Sequence, residues 1–387
     1  MVIGVTRRIG RGLLVVALAV AGTTAAGETP PESPLDDLPE HIVQLPLPEG
    51  MNASRPQWAP DGRSLYVIDE RGEVWDYRVD LGHGRADGRR PRARVLTGSF
   101  APPVLRATPL TNGDLVLCAP GEATGGRFDG RIWLMRQPLG HSAPVPLGER
   151  CWEGIAVSGA RGSTTIAWAR SDYDFDDPDR DILNAPSQLF TGRIRYDRRG
   201  TPSLVDRTLL LDRNDVARPI ALLEPQDFRT VRGHRGVDRE LLFTTYGHQG
   251  SEVTSVDRVT GEIVNHSRSP WYEEAEGIDP AGRWIAVERD PRSEVGPLAI
   301  DIWRVALDGE ARWQRLTHFT DFKGYGANQP VISPDRRRIA FTLKDANDAH
   351  GDGSALLLFD LEAWQAGGPD AWRVEPDRLP PYSRPRS

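Results

Sequence analysis

The sequence predicts an all-β protein, a six-bladed β-propeller whose blades are four-stranded antiparallel sheets. The first reason is a recurring turn, rich in Pro, Asp and Gly, that each time precedes a short apolar run. Such a turn is typical of a hairpin, because Pro presets φ and Gly or Asp tolerates the tight reversal. The three clear copies are Ala59–Gly62, Asp279–Gly282 and Ser333–Asp335.

The second reason is the spacing of these turns, which matches the size of one blade. Pro280 and Pro334 lie 54 positions apart, and the 220 positions between Pro60 and Pro280 equal four periods of 55. A repeat of about 50 residues is the length of a four-stranded propeller blade. Weaker copies of the turn fill the gap and bring the total to six units; they begin at Thr111, Glu153 and Glu224.

Each unit continues with a third strand that ends in an acidic turn and with a short fourth strand. Third strands of this kind are Val74–Asp80 and Ile302–Asp308, and a fourth strand is Arg94–Thr97. With the Ser-Pro-Asp turn at 333–335 and the Arg-Leu-Thr at 315–317, the chain resembles the TolB-type family of WD-like β-propeller repeats. The resemblance covers roughly residues 40–376. It implies recognition of a protein or a small ligand at one face of the central channel.

The N-terminus has the pattern of a targeting segment. Arginines at 7, 8 and 11 precede the apolar run 13–21, and small residues at 24–26 form a cleavage site, so we expect residues 1–26 to be a signal peptide. The mature protein would then be periplasmic or secreted, with no stable membrane insertion. An uncleaved anchor and twin-arginine export stay open as alternatives. Residues 27–40 would form a flexible lead-in, 41–376 the propeller and 377–387 a C-terminal tail.

Strand-like sequence remains at both ends of the six units. His41–Leu45 precedes the first unit, and Ala371–Val374 follows the last one. We expect one of the two to complete the last blade, because an unpaired sheet edge promotes association and closure of the ring removes it.

The two cysteines fall on neighbouring units. Cys118 closes the second strand of unit two, and Cys151 opens unit three. In a propeller, a second strand ends at the rim where the innermost strand of the next blade begins. In an oxidising compartment this placement predicts a disulfide, with two buried thiols as the alternative.

Charged residues recur where the innermost strands of the units are predicted to start. Three acidic residues from consecutive units, together with two arginines and an amide from the other units, would converge at one mouth of the channel. Such a mouth suits a cation, a zwitterion or a sugar-like ligand, although a structural ring of ion pairs would give the same pattern. The predicted site residues are Glu153, Glu224, Glu276, Arg55, Arg106 and Gln329.

A second acidic feature interrupts unit three at residues 171–181. Its carboxylates alternate along the chain, as they do in loops that wrap Ca²⁺. The alternative is a solvated acidic loop. The histidines show no spacing typical of metal ligands.

These observations favour a binding module over an enzyme. The net charge of -7 and the lack of a basic patch argue against a nucleic-acid partner. The sequence contains no serine-hydrolase elbow, zinc-protease motif or phosphate-binding loop. We therefore expect an exported propeller that binds a protein, a small molecule or a saccharide. The alternative is a propeller-type carbohydrate-active enzyme, a lyase or hydrolase, with its site at the channel mouth.

Overall fold

A computed structural model of the chain describes residues 33–79, 92–98, 100–121, 130–152, 154–171, 187–212, 222–229, 238–246, 251–292, 299–346, 352–366 and 373–374. The strands form six antiparallel sheets, as the repeat predicts. The helical segments of this part are the 3₁₀ turn Phe319–Asp321 and α1 (Leu361–Ala366). Within the described residues, no helix is long and apolar enough to cross a membrane.

Each sheet is one blade, and its strands follow one another outward from the channel. From the innermost strand to the outermost, blade 1 consists of β2 (Ser54–Trp58), β3 (Ser64–Ile68), β4 (Val74–Arg78) and β5 (Arg92–Val95). Blade 2 consists of β6 (Arg106–Pro109), β7 (Leu115–Pro120), β8 (Gly130–Met135) and β9 (Val145–Arg150). Blade 3 consists of β10 (Ile155–Val157), β11 (Thr165–Ser171), β12 (Ser187–Tyr196) and β13 (Pro202–Asp212).

The second half of the chain forms the other three blades. Blade 4 consists of β14 (Leu222–Arg229), β15 (Glu240–Tyr246), β16 (Ser251–Asp257) and β17 (Ile263–Asn265). Blade 5 consists of β18 (Tyr272–Ile278), β19 (Trp284–Asp290), β20 (Asp301–Ala306), β21 (Arg312–Arg315) and β25 (Arg373–Val374). Blade 6 consists of β22 (Tyr325–Ile332), β23 (Arg338–Asp345), β24 (Asp352–Asp360) and β1 (Ile42–Leu45).

The repeated turn joins the first two strands of a blade, where it was predicted. In blade 5 the Gly282 N–H donates to the Asp279 carbonyl at 2.6 Å, with a φ of +66° at Gly282. Blade 6 makes the same turn with an arginine in place of this glycine, and Arg336 has a φ of +64°. A side chain is disfavoured in that left-handed region, so the rest of the hairpin holds Arg336 in this conformation.

The hydrophobic core lies between blades rather than within one of them. Each interface between neighbouring blades has its own cluster of buried side chains. Between blades 5 and 6, for example, Trp284 and Ile302 pack with Phe341 and Leu357. Because both faces of each sheet are covered by neighbouring blades, second strands such as β3 and β7 are mainly apolar.

The N-terminal strand β1 closes the ring. It pairs antiparallel with β24, with Ile42 opposite Phe359 and Leu45 opposite Leu356. One of the two terminal segments was expected to complete the last blade, and this is confirmed for the N-terminal one. The C-terminal segment instead adds β25 to the outer edge of blade 5, where it pairs with β21.

We expect truncation of the buried side chains of β1 to destabilise the whole propeller. Ile42 and Leu45 are 6% and 3% exposed, so Ile42→Ala or Leu45→Ala should each lower the free energy of unfolding by about 2–4 kcal/mol. Gln44→Ala, at an exposed position of the same strand, is the matched control. Urea denaturation measures the effect, and unchanged midpoints for both core variants would mean that β1 contributes little to closure.

A disulfide joins blade 2 to the entry of blade 3. Cys118 in β7 is bonded to Cys151, which precedes β10, with 6.1 Å between the two Cα atoms. A Cβ atom on Gly130 would lie 2.7 Å from the sulfur of Cys118 and 2.5 Å from the carbonyl oxygen of Cys151. The approach of the two segments therefore depends on a glycine at position 130.

Reduction of this disulfide should lower the free energy of unfolding by about 3–4 kcal/mol, because the bond closes a loop with a sequence separation of 33 and restricts the unfolded chain. Chemical denaturation with and without reductant measures the loss. A Cys118→Ser, Cys151→Ser double variant should not respond to reductant. If both thiols of the unreduced, denatured protein react with an alkylating agent, the bond is not formed in the mature chain.

Candidate functional site

The innermost strands form a closed ring around the channel. Each of them contacts the innermost strand of the next blade, and β22 of blade 6 contacts β2 of blade 1. Four of these strands, β2, β14, β18 and β22, contain a β-bulge before they reach their hairpin. A bulge leaves an extra residue out of the pairing and redirects its side chain. The bulged residues include Arg55, Gln226, Glu276 and Gln329.

Three of the predicted site residues meet inside the channel, although they come from blades 2, 4 and 5. The Arg106 guanidinium lies 3.1 Å from Oε1 of Glu224 and 3.8 Å from Oε2 of Glu276. Their side chains are at most 5% exposed. These side chains, predicted at the channel mouth, are therefore buried, and their assignment as the functional site stays a prediction. Glu224 is the third residue of β14 and Glu276 the fifth of β18, so both lie within the channel.

Two tyrosines and a further glutamate complete this charged cluster. The Tyr246 hydroxyl donates to Oε2 of Glu224 at 2.8 Å, and the Tyr272 hydroxyl donates to Glu274. Glu274 was not predicted as a site residue. It stands two positions before Glu276 in the same strand, so the alternation of β18 was the signal that could have placed both on one side.

The charged cluster, Arg106 with Glu224, Glu274 and Glu276, contains three carboxyl groups and one guanidinium. Burial raises the pKa of Glu276 to about 8 and that of Glu274 to about 7, and the repulsion among the carboxyl groups adds to it. Arg106, and Arg55 from blade 1, lower the pKa of Glu276 but do not offset burial. Bound protons therefore neutralise part of the cluster at neutral pH.

Arg55 and Gln329 form a neighbouring contact between blades 1, 5 and 6. The backbone N–H of Arg55 donates to Oε1 of Gln329 at 2.6 Å. The backbone N–H of Gln329 in turn donates to Oε1 of Glu288, also at 2.6 Å. Both bulged residues have a positive φ, 51° at Arg55 and 57° at Gln329. This amide serves to hold blades together rather than to face the carboxylates of the charged cluster.

Two predicted features lie outside the described residues. One is Glu153. Its neighbour Gly154 packs closely on blade 4, since a Cβ atom at position 154 would lie 2.6 Å from Cγ of Glu224. The other is the proposed Ca²⁺ loop, of which only Ser171 is described. In the described part of the chain, no group of three or more His, Cys, Asp or Glu side chains is arranged to hold a metal ion.

A cavity of about 430 Å³ lies at the hairpin end of the channel. Arg106 and Glu276 of the charged cluster form its buried floor. Its rim consists of exposed residues in the first hairpins of several blades, Pro60, Gly159, Pro280 and Pro334 among them. The cavity therefore opens where the innermost strands end, opposite to the predicted mouth. We call it the channel cavity.

Polar groups of blade 4 line the channel cavity beside that floor. Burial raises the pKa of Asp227 to about 7, with a smaller contribution from the nearby Asp238 carboxylate. Asp238 accepts hydrogen bonds from the hydroxyls of Ser158 and Ser163 at 2.5 and 3.0 Å. The Nε2 atom of Gln226 is buried and has no hydrogen-bond partner among the described residues. Sequence reasoning missed Gln226 and Asp227, because only the bulge in β14 turns this segment toward the channel.

The chain is a six-bladed β-propeller with a cavity in its channel. No family model matches the sequence, and a search of curated proteins finds no match. Among solved structures, it is similar to TolB from Acinetobacter baumannii, at 11% identity over 84% of this chain and 65% of that one, with a TM-score of 0.44. The chain thus spans slightly less than two thirds of that protein.

Two further similar structures are enzymes. One is a gluconolactonase from Xanthomonas campestris, at 16% identity over 80% of this chain and 86% of that one, with a TM-score of 0.46. The other is an oligogalacturonate lyase from Vibrio parahaemolyticus, at 11% identity over 83% and 93%, with a TM-score of 0.43. At such values no chemistry is inferred from these proteins, and the fold assignment rests on the sheet topology.

The protonated state of Glu276 predicts a pH-dependent stability. The folded carboxyl holds its proton up to about pH 8, whereas in the unfolded chain it ionises near 4.3. Folding therefore takes up a proton between these values, and stability falls as pH rises through this window. Glu276→Gln should flatten the dependence by up to about 1.4 kcal/mol per pH unit.

Urea denaturation between pH 5.5 and pH 7.5 provides the measurement. Glu262→Gln, which changes an exposed carboxyl in the turn between β16 and β17, is the matched control and should keep the wild-type slope. Equal slopes for the wild type and Glu276→Gln would show that Glu276 is ionised throughout.

Proposed function

We propose that the protein is an exported, TolB-like β-propeller that acts as a binding module and holds a small ligand in the channel cavity. The observation that carries this proposal is the cavity itself. Its volume of about 430 Å³ falls within the range of roughly 300–1,000 Å³ that is common for small-molecule sites. Export follows from the predicted signal peptide, residues 1–26, and places the ligand in the periplasm or outside the cell.

Two polar groups of the cavity support a ligand. Oε2 of Glu276 and Nε2 of Gln226 are buried without a hydrogen-bond partner in the described part of the chain. A buried group left in this state costs about 1–3 kcal/mol. Both residues line the channel cavity, so a ligand with a donor and an acceptor would remove much of this cost on binding.

An enzymatic role is the second candidate, and one observation favours it. Asp227 and Glu276 line the same cavity, with pKa values raised to about 7 and about 8. Carboxyl groups that titrate near neutral pH suit general acid or base catalysis. A carbohydrate-active enzyme with these two groups would consume its ligand. Recovery of the bound compound unchanged after prolonged incubation argues for the binding module.

Blocking the cavity tests the binding function. Ala281 is an exposed turn residue that lines the cavity, so Ala281→Trp should close the rim with little effect on the fold. We expect compounds from a metabolite library, screened by native mass spectrometry, to form adducts with the wild type and to bind Ala281→Trp at least about tenfold more weakly. Val259→Trp, at a turn residue that is 78% exposed and does not line the cavity, is the matched control. Equal binding by both variants would refute the site.

A further inference from the structure

We infer that the ligand of the channel cavity is an organic ammonium ion, a protonated amine on a partly apolar body that also carries a hydrogen-bond acceptor. The inference rests on the proposed binding function and names the chemical class of its ligand. It comes from three features of the lining: guanidinium groups already engaged by the protein, carboxyl groups without a full cation of their own, and apolar side chains in part of the walls.

Both arginines that line the cavity are engaged by other groups of the protein. Nε and Nη2 of Arg229 donate to the carbonyl oxygens of Gly282 and Leu307, both at 2.7 Å, and Nη1 donates to Glu240 at 3.0 Å. Arg106 pairs with Glu224 and Glu276 and also donates to Oε1 of Gln226 at 3.3 Å. Neither guanidinium is therefore available for an anionic ligand.

The carboxyl groups of the lining fall into two kinds. Asp238 accepts from two serine hydroxyls, and Asp279 pairs with Arg283 at 2.9 Å. Asp227, in contrast, accepts the backbone N–H groups of Phe228 and Ile278 and has no ion pair among the described residues.

Glu276 has an ion pair, but it shares the Arg106 guanidinium, 3.8 Å away, with the closer carboxylate of Glu224. The cavity therefore presents two carboxyl groups whose ionised forms have no fully matched cation in the lining. An anionic ligand would be repelled by them, whereas a cation would supply the missing positive charge.

The walls of the cavity combine apolar and polar side chains. The Trp58 ring is fixed in place because its Nε1–H donates to the Val331 carbonyl at 3.1 Å. Phe228 already carries the Arg258 guanidinium over its ring at 5.4 Å. Further apolar side chains of the lining are Ile155, Val157, Ile278 and Ile332. These apolar side chains exclude water around the apolar part of a ligand, and Gln57, Thr108 and Thr111 add polar groups to the lining.

Binding of an ammonium ion should release protons from the protein. Asp227 faces Asp238 and the backbone of blades 4 and 5, and Glu276 faces Arg106, Glu224, Glu274 and Arg55. Burial leaves both acids partly protonated at neutral pH, and a bound cation favours their ionised forms. Affinity should therefore rise between pH 6 and pH 8, where an alkyl ammonium keeps its own charge.

The experiment compares three probes of the same shape: 4-phenylbutylammonium, the neutral 4-phenylbutanol and the anionic 4-phenylbutyrate. Isothermal titration calorimetry at pH 6 and pH 8, in two buffers with different ionisation enthalpies, measures affinity and proton release. At pH 8 we expect the ammonium to bind at least about tenfold more tightly than the alcohol, which is 1.4 kcal/mol. At pH 6 this advantage should shrink.

Asp227→Asn assigns the effect to the cavity. It should weaken ammonium binding about tenfold and leave alcohol binding unchanged, since Asn can still accept the Phe228 N–H. Glu262→Gln is the control and should bind like the wild type. Thermal unfolding shows whether the variant is folded, and if it is not, the pH dependence of the wild type still decides the question.

The possible failures are distinguishable. If the alcohol or the anion binds as tightly as the ammonium and Ala281→Trp abolishes that binding, the binding module stands and the ammonium class is wrong. If the ammonium does not bind at millimolar concentration, the class is also wrong. If Ala281→Trp changes the binding of no compound in the probe set or the library, both the proposed binding function and this inference are wrong.

Discussion

The pairing of β1 with β24 is the constraint on which the rest of the structure depends. It joins the beginning and the end of the described propeller in one sheet and brings β22 against β2. Only in a closed ring do the innermost strands of blades 2 and 5 face each other across a channel. The contacts of Arg106 with Glu224 and Glu276 therefore require all six blades, although each blade forms its own hairpins locally.

The charges of the charged cluster make the stability of the closed ring depend on pH. A buried ion pair gains from the Coulomb interaction what it loses in hydration only when the charges are balanced, and in this channel three carboxyl groups share one buried guanidinium. Protons complete the balance, with the pKa of Glu276 raised to about 8. The Glu276 carboxyl, whose ionised form lacks a cation of its own, lies at the floor of the channel cavity. A feature that weakens the fold at high pH would thus provide the attraction for a cationic ligand.

The β-bulges explain why the site was only partly predictable. Arg106, Glu224 and Glu276 were identified because charged residues recur near the inner strands of the repeat. The alternation of side chains along a strand could not show which of them enter the channel, because one extra residue reverses the alternation. For the same reason Gln226 and Asp227 were missed, and Gln329 was grouped with the site although its amide oxygen accepts from the Arg55 backbone.

The sequence by itself determined the repeat, the hairpin turns, the number of blades and the neighbouring positions of Cys118 and Cys151. These depend on short-range chemistry, since a turn such as Asp279–Gly282 needs only its own residues and one internal hydrogen bond. The tertiary structure decided which terminal strand closes the ring, which end of the channel opens and which carboxyl groups keep their protons. Those properties depend on burial and on charges from several blades at once. A local sequence pattern does not show how deeply a side chain such as Glu276 is buried.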